Sequence, residues 1–359
     1  NASAILIQYQ MRFLITGHTG FVGAWTALFL RELGHEVCGL SLEPYIGENG
    51  ERGLYDLARL NELFKADLRI DIRDFEALKA ALKRMRPDFV FHFAAQQLVR
   101  ESFRQPRLTF ETNAMGTVNI LEAIGGAVGI KGAIVATTDK VYKNISHIWG
   151  YRENDPLGAD DPLSGSKAAC DLIAQSYIAR ADYQTPIGIV RSANLLGGGD
   201  NCKEHLIVDL IGACKRGVAA KLRNPNAVRS WQHVLDSING YYLLALRLID
   251  GSLPEGAKDG AFNFGANSDS FDSVGGVATK IVERWEGAIA WEFVGDAENI
   301  KEALTLGIDS KKAKFYLGWE NKLDLDKVID WTVGWEREVF LGKDAREVTL
   351  RQIAAYLKL

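Results

Sequence analysis

A doubly wound parallel α/β sheet, with a smaller mixed domain on its C-terminal side, is the fold that these 359 residues predict. Three observations predict it. Short apolar runs alternate with helical periodicity across residues 12–128, a glycine-rich turn separates the first run from the first helix, and the alternation breaks beyond Arg191. Strands alternating with helices at this spacing form βαβ units, and right-handed crossovers place helices on both faces of a parallel sheet.

Each element has its own signal. Residues 12–16 are an apolar run and the first strand; after the turn Gly17-His18-Thr19-Gly20-Phe21-Val22-Gly23 a helix continues to Leu33. Residues 35–41 read as the second strand and 64–70 as a short third. A helix at 75–84 precedes Pro-Asp-Phe-Val-Phe-His-Phe at 87–93, whose almost unbroken apolar character is that of a strand buried on both faces. A long helix at 110–124 and a strand at 131–137 follow. Beyond Arg191, loops such as Gly197-Gly198-Gly199-Asp200 and Asn224-Pro225-Asn226 divide shorter elements, and helices resume at 271–285 and 325–340. The expected division is a dinucleotide-binding domain over 11–190 plus about 231–264, and a substrate domain over 191–230 and 265–359.

Composition narrows the function classes. With 47% hydrophobic and 25% charged residues and a net charge of -4, the chain has a large core and no basic surplus for nucleic acid or anionic membranes. No apolar run approaches the ~18 residues that cross a bilayer. Cys38, Cys170, Cys202 and Cys214 lack metal-ligand or paired spacing, so free thiols, no metal and a cytoplasmic location are expected. Residues 1–10 lack the basic start and cleavage pattern of a signal peptide and read as a leader or expression remnant ahead of Met11.

Gly17-x-x-Gly20-x-x-Gly23 between a strand and a helix is a phosphate-binding turn of the Rossmann type. The first glycines permit a tight turn and close approach to a diphosphate, the third lets the helix pack on the strand, and the helix N-terminus offers N–H groups to the phosphates. Thr19, Phe21 and Val22 complete this stretch. An acidic residue usually closes the second strand and binds the adenosine ribose, but here that position is Ser41, which leaves NAD and NADP both open. Asp71 and Ile72, after the third strand, suit an adenine-edge contact, and a solvated loop aspartate is an equal reading.

From the glycine motif onward, Ala94-Ala95-Gln96, Asn113, Thr137-Thr138-Asp139-Lys140, Lys167 and Arg191-x-x-Asn194 run in the order of the extended short-chain dehydrogenase/reductases. Within them the chain resembles the CDP-glucose 4,6-dehydratases. That resemblance extends through Leu98-Val99-Arg100, Trp149-Gly150-Tyr151-Arg152-Glu153-Asn154, Arg223-Asn224-Pro225 and Arg229-x-Trp231-Gln232-His233-Val234-Leu235, across residues 11 to about 339.

The resemblance implies a nicotinamide cofactor held against a nucleotide sugar, most simply a CDP-hexose. In that chemistry, hydride leaves C4 of the sugar, a base takes the C5 proton, an acid releases the C6 hydroxyl as water, and hydride returns to C6. It assigns Thr138 to the C4 oxygen, Asp139 to the acid, Lys140 to the C5 base and Lys167 to the nicotinamide ribose. A lysine serves as base only where burial and nearby positive charge lower its pKa from about 10.4. Ala94, Ala95 and Gln96 would line the cofactor, and Arg100, Asn194 and Arg229 the nucleotide sugar, a guanidinium fork suiting diphosphate oxygens. His233 reads as a structural histidine between the domains. The helices at about 110–124 and 167–179, with Val118, Ile120, Leu121, Leu172 and Ile173, resemble those of a four-helix homodimer interface.

One departure stands out. The family's tyrosine four residues before the lysine is Leu163, in Asp161-Pro162-Leu163-Ser164-Gly165-Ser166-Lys167, and leucine cannot accept the C4 hydroxyl proton. Three function classes therefore remain: a dehydratase with a displaced proton acceptor, a related nucleotide-sugar epimerase, reductase or dehydratase, and a non-catalytic protein that keeps both ligand sites.

Overall fold

The structure, a computed structural model, describes residues 10–47, 50–146, 148–158, 160–266, 271–285, 290–295 and 305–359; the leader reading of residues 1–9 lies outside them. Thirteen strands occur among the described residues: β1 (Arg12–Thr16), β2 (Glu36–Ser41), β3 (Ala66–Arg69), β4 (Phe89–His92), β5 (Ala133–Ala136), β6 (Ile187–Ser192), β7 (Asn194–Leu196), β8 (Ala220–Leu222), β9 (Val228–His233), β10 (Ala261–Phe264), β11 (Phe271–Ser273), β12 (Trp291–Phe293) and β13 (Thr305–Leu306). Seven form one parallel sheet in the order β10-β6-β5-β4-β1-β2-β3.

Side-chain alternation makes this sheet two-faced. On β1, Phe13 and Ile15 enter a core with the helices Phe21–Glu32 and Val234–Ile249, while Leu14 enters a second core with Phe75–Met85, Gly116–Gly125 and Pro162–Ile178. On β4, Phe89 and Phe91 take the first side and Val90 the second. A strand buried on both faces must be apolar at every position, which is why 87–93 shows no period-two pattern.

Most expected elements are present with shifted ends. The long helix starts at Pro106, four residues before its expected start, and contains one π turn, Glu111–Met115. The expected helix at 271–285 divides: Phe271–Ser273 is drawn into antiparallel pairing with Ser230–Val228, and the helix begins at Val274 with Ser273 Oγ accepting from Gly276 N at 3.0 Å. Tertiary pairing overrides local periodicity there. Smaller sheets β11-β9-β13, with β7 also on β9, and β12-β8 make up the mixed C-terminal portion. No helix among the described residues is long and apolar enough to cross a membrane.

Candidate active site

The chain builds outward from β1 through β2 to β3, then returns to the other side of β1 at β4. Where successive connections leave in opposite directions, a crevice opens at the carboxyl ends of the strands. The segments beginning at Gly17, Ala94 and Thr137 follow β1, β4 and β5, which are neighbours in the sheet.

The three glycines of the turn have different physical reasons. Gly17 has φ +77°, and a Cβ there would lie 2.8 Å from the Ala94 nitrogen; a Cβ on Gly23 would lie 2.3 Å from the Gly17 carbonyl oxygen. Both are demanded by the chain itself. Gly20 is exposed, and its nearest obstacle would be 3.4 Å away, so nothing in the protein forbids a side chain there. It is the N-cap of the helix Phe21–Glu32 and supplies no capping side chain. The bare helix end, with half-buried Phe21 and Val22 in its first turn, therefore leaves its N–H groups and positive dipole end to an outside anion.

Thr19 Oγ1 and Ser41 Oγ meet at 2.8 Å, closing the turn against the end of β2. Ser41 lies in register with Arg69 of β3. That guanidinium bonds the Tyr55 hydroxyl at 2.8 Å and Glu43 at 3.1 Å, and also Asp67. Asp71 holds Arg73 in a fork at 3.0 and 2.6 Å and lines an open hollow with Glu111, Met115 and Asn119. Ile72 is buried, and its carbonyl accepts from Asn119 Nδ2 at 3.0 Å.

Behind the loop after β4, one side chain joins three segments. Asn113, buried in the π turn, accepts from Gln96 N at 2.8 Å and donates to Gln96 O at 2.9 Å and Ser166 Oγ at 2.8 Å. Inserted π turns are frequent at functional sites because they re-aim side chains. Ala94 N reaches Thr16 Oγ1 at 3.3 Å, and Ala95, like Ala94, is half-buried. The Thr16 hydroxyl also meets His92 Nδ1 at 2.7 Å. Burial, helped by the Lys167 charge, pulls His92 down to about 3, so this ring is neutral.

Leu163 and Lys167 lie one turn apart on the helix Pro162–Ile178, whose N-cap Asp161 accepts from Ser164 N. Residues four apart share a helix face. Leu163 is 6% exposed, and its backbone is held at both ends: N to Ser102 Oγ at 3.1 Å and O from Ser166 Oγ at 2.7 Å. Lys167 Nζ donates to Ala136 O at 3.1 Å, at the end of β5, and burial pulls its pKa below the ordinary lysine value.

Directly after β5, Thr138 Oγ1 donates to Asp139 Oδ1 at 2.9 Å and accepts from Lys140 N at 3.4 Å. Asp139 is 4% exposed. Burial pushes its carboxyl above the usual range, against the opposing charges of Lys140 and Arg229 and the Thr138 hydrogen bond. Burial that favours the neutral carboxyl suits a proton donor.

Arg229 thus stands within electrostatic reach of Asp139, with Nη1 on Val228 O at 3.0 Å. Asn194 ties β7 to β9 through Ser230 O at 3.1 Å. Arg100 is half-buried in the helix Val99–Arg104. His233 is fully buried between the ring edges of Trp25 and Trp331, accepts from Leu235 N, and is pulled down to about 3 by burial, which makes it a structural histidine. Sequence reasoning assigned no role to Ser102 and Ser166, which hold Leu163, because a lone serine carries no periodic signal.

Residues 14–332 match the GDP-mannose 4,6 dehydratase family. The chain is 38% identical to a CDP-glucose 4,6-dehydratase of Salmonella typhimurium over 355 residues, 96% of each chain, and 28% identical to a UDP-glucose 4-epimerase of Lacticaseibacillus casei over 90% of this chain and 96% of that one. A dTDP-glucose 4,6-dehydratase of Streptomyces venezuelae, solved with NAD, superposes with a TM-score of 0.76 at 25% identity over 91% of this chain and 97% of its own. A UDP-glucose 4-epimerase of Thermus thermophilus in complex with NAD gives 0.76 at 25% identity, covering 91% and 99%.

Proposed function

This chain belongs to the GDP-mannose 4,6-dehydratase family, and we propose that it binds NAD and a CDP-hexose and carries the machinery of 4,6-dehydration with its C4 proton acceptor missing. The observation that carries the reading is the joint placement of Thr138, Asp139, Lys140 and Lys167 around the end of β5, with Leu163 one turn from Lys167. A nicotinamide bound there would supply reversible hydride acceptance.

The chain's own residues supply the rest. Thr138 orients the C4 oxygen, Asp139 holds the proton that leaves with the C6 hydroxyl, and Lys140 takes the C5 proton. Lys167 holds the nicotinamide ribose. Arg100, from the dinucleotide-binding domain, and Asn194 and Arg229, from the second, face the nucleotide sugar. NAD is favoured over NADP because the Asp67 and Glu43 carboxylates already occupy Arg69, the cation beside Ser41, and would repel a 2′-phosphate. The four unpaired cysteines fit a cytoplasmic enzyme.

Incubation with CDP-glucose, dTDP-glucose, UDP-glucose and GDP-mannose, followed by mass and absorbance, tests the sugar assignment. A 4-keto product from CDP-glucose alone is expected, formed slowly. A second reading, a protein that binds both ligands without turnover, is favoured by Leu163 itself; binding of CDP-glucose with no product at any time would select it.

The cofactor site has its own test. A Cβ in Gly20→Val meets nothing closer than the Gly17 carbonyl oxygen at 3.4 Å, so the variant should melt with the parent while NAD affinity falls by at least about 100-fold, roughly 2.7 kcal/mol. Unchanged NAD binding by titration calorimetry would remove the turn from the site.

The dimer rests on apolar exposure. Phe103, Phe110, Met115 and Leu172 are 47%, 41%, 52% and 55% exposed, while Ile120 and Leu121 are spent on the sheet. A side-by-side pair of these helices would cover the exposed set. Sedimentation at micromolar concentration is expected to give twice the chain mass, and a monomer would refute the pairing.

A further inference from the structure

A buried histidine braces the loop after β4 from behind. His92 closes β4 in register with Thr16, the last residue of β1, and His92, Thr16 and Thr117 are all buried. The direction of each hydrogen bond through them is fixed. Thr117 Oγ1 gives its proton to Asn113 O at 2.7 Å, so toward His92 Nε2, 3.4 Å away, it can only accept, and the ring carries its hydrogen on Nε2. Burial keeps the ring neutral, so Nδ1 is bare and takes the Thr16 hydroxyl proton at 2.7 Å. The Thr16 oxygen is then left to accept from Ala94 N at 3.3 Å. One series therefore runs from the Ala94 N–H through Thr16, His92 and Thr117 to the Asn113 carbonyl. Every donor in it points the same way, so each bond polarises the next.

The series ends on the residue that holds the far end of the same loop. Asn113 brackets Gln96 through its amide while the Thr16 branch fixes Ala94, so both ends of residues 94–96 are tied to one ring. The tolerance there is small. A Cβ on Gly17 would lie 2.8 Å from Ala94 N and 2.9 Å from Ala94 Cα, so the glycine turn and this loop pass in contact. We propose that His92 is a positioning residue of the dinucleotide site, setting residues 94–96 against the turn at residues 17–23 through its Nδ1 bond to Thr16. Its part is to hold backbone, not to move a proton. The inference rests on the reading that these two segments hold NAD. A ring that only filled space would be replaceable by any side chain of its size, whichever nitrogen position that side chain kept polar.

The test separates the two nitrogens. In His92→Asn the amide oxygen stands near the place of Nδ1 and keeps an acceptor for Thr16, whereas in His92→Gln the amide reaches the place of Nε2 and the Thr16 hydroxyl loses its partner. NAD titration calorimetry is run on the parent and on both variants, with thermal melting alongside. His92→Asn is expected to bind NAD within about threefold of the parent and His92→Gln about tenfold or more weakly, the usual cost of a buried polar group left unpaired. Thr16→Val, which keeps the ring, should weaken NAD by a similar factor and serves where a ring variant fails to fold. A merely structural role predicts the opposite order, because asparagine leaves the larger cavity, and NAD affinity would then follow the melting temperature. Affinity in His92→Asn equal to or weaker than in His92→Gln, or unchanged affinity in Thr16→Val, overturns the proposal. A parent that binds no NAD ends the cofactor reading and this inference with it, whereas a parent that binds beside unaffected variants removes this inference alone.

Discussion

Leu163→Tyr is expected to raise the rate of CDP-glucose dehydration by about 10²–10⁴-fold, the usual worth of a positioned acid–base group. The substitution changes a side chain on a backbone already held at both ends, by Ser102 on the nitrogen and Ser166 on the carbonyl. Lys167, one turn on, presents an ammonium on the same helix face, and a cation beside a phenol favours its ionised form. At about 1.4 kcal/mol per decade the gain is about 3–5 kcal/mol of barrier. Single-turnover product formation with NAD and CDP-glucose bound is the measurement. A parent protein that already turns over at ~1–10 s⁻¹ would sink the argument. No gain in the variant, with both ligands bound, would shift the weight to the binding-protein reading.

Asp171→Ala should be the most damaging single change to stability among those considered, at about 3–5 kcal/mol. Arg191 and Asp171 are both fully buried and pair through two bonds, Nε to Oδ2 at 2.7 Å and Nη2 to Oδ1 at 2.8 Å. The two Arg191 Nη1 donors reach the Tyr142 hydroxyl at 2.8 Å and Glu153 O at 2.9 Å. Removing the carboxylate strands a guanidinium away from water. A paired Arg191→Met, Asp171→Leu replacement should recover much of the loss, because no charge is then left alone. Urea unfolding decides it: a single-variant loss under about 1 kcal/mol would mean that water enters and resolvates the arginine.

The doubly wound half was legible because its signals are local. The apolar run 87–93, the glycine turn and the helical spacing at 75–84 each specify their element within a dozen residues, and β1, β4 and the helix Phe75–Met85 follow them closely. The strand Phe271–Ser273 was not legible, because its partner β9 lies some forty residues away and only the tertiary fold brings them together. The strip Thr138-Asp139-Lys140 after β5, proposed as catalytic, was legible as a contiguous run. The Asp200–His205 pair was not, since two residues five apart in a loop meet only when the backbone turns the imidazole back onto the carboxylate.

Asn113 has a consequence for motion. Its amide bonds Gln96 in both directions, as one strand bonds another, so a side chain performs the work of a peptide group. Its third bond, to Ser166, carries the constraint into the helix that bears Leu163 and Lys167. Loop and helix therefore form one mechanical body, and displacement of either must travel to the other or break a buried amide's bonding. Slow exchange of the Gln96 amide hydrogen, rising together with that of Leu163, would be the signature of that shared degree of freedom.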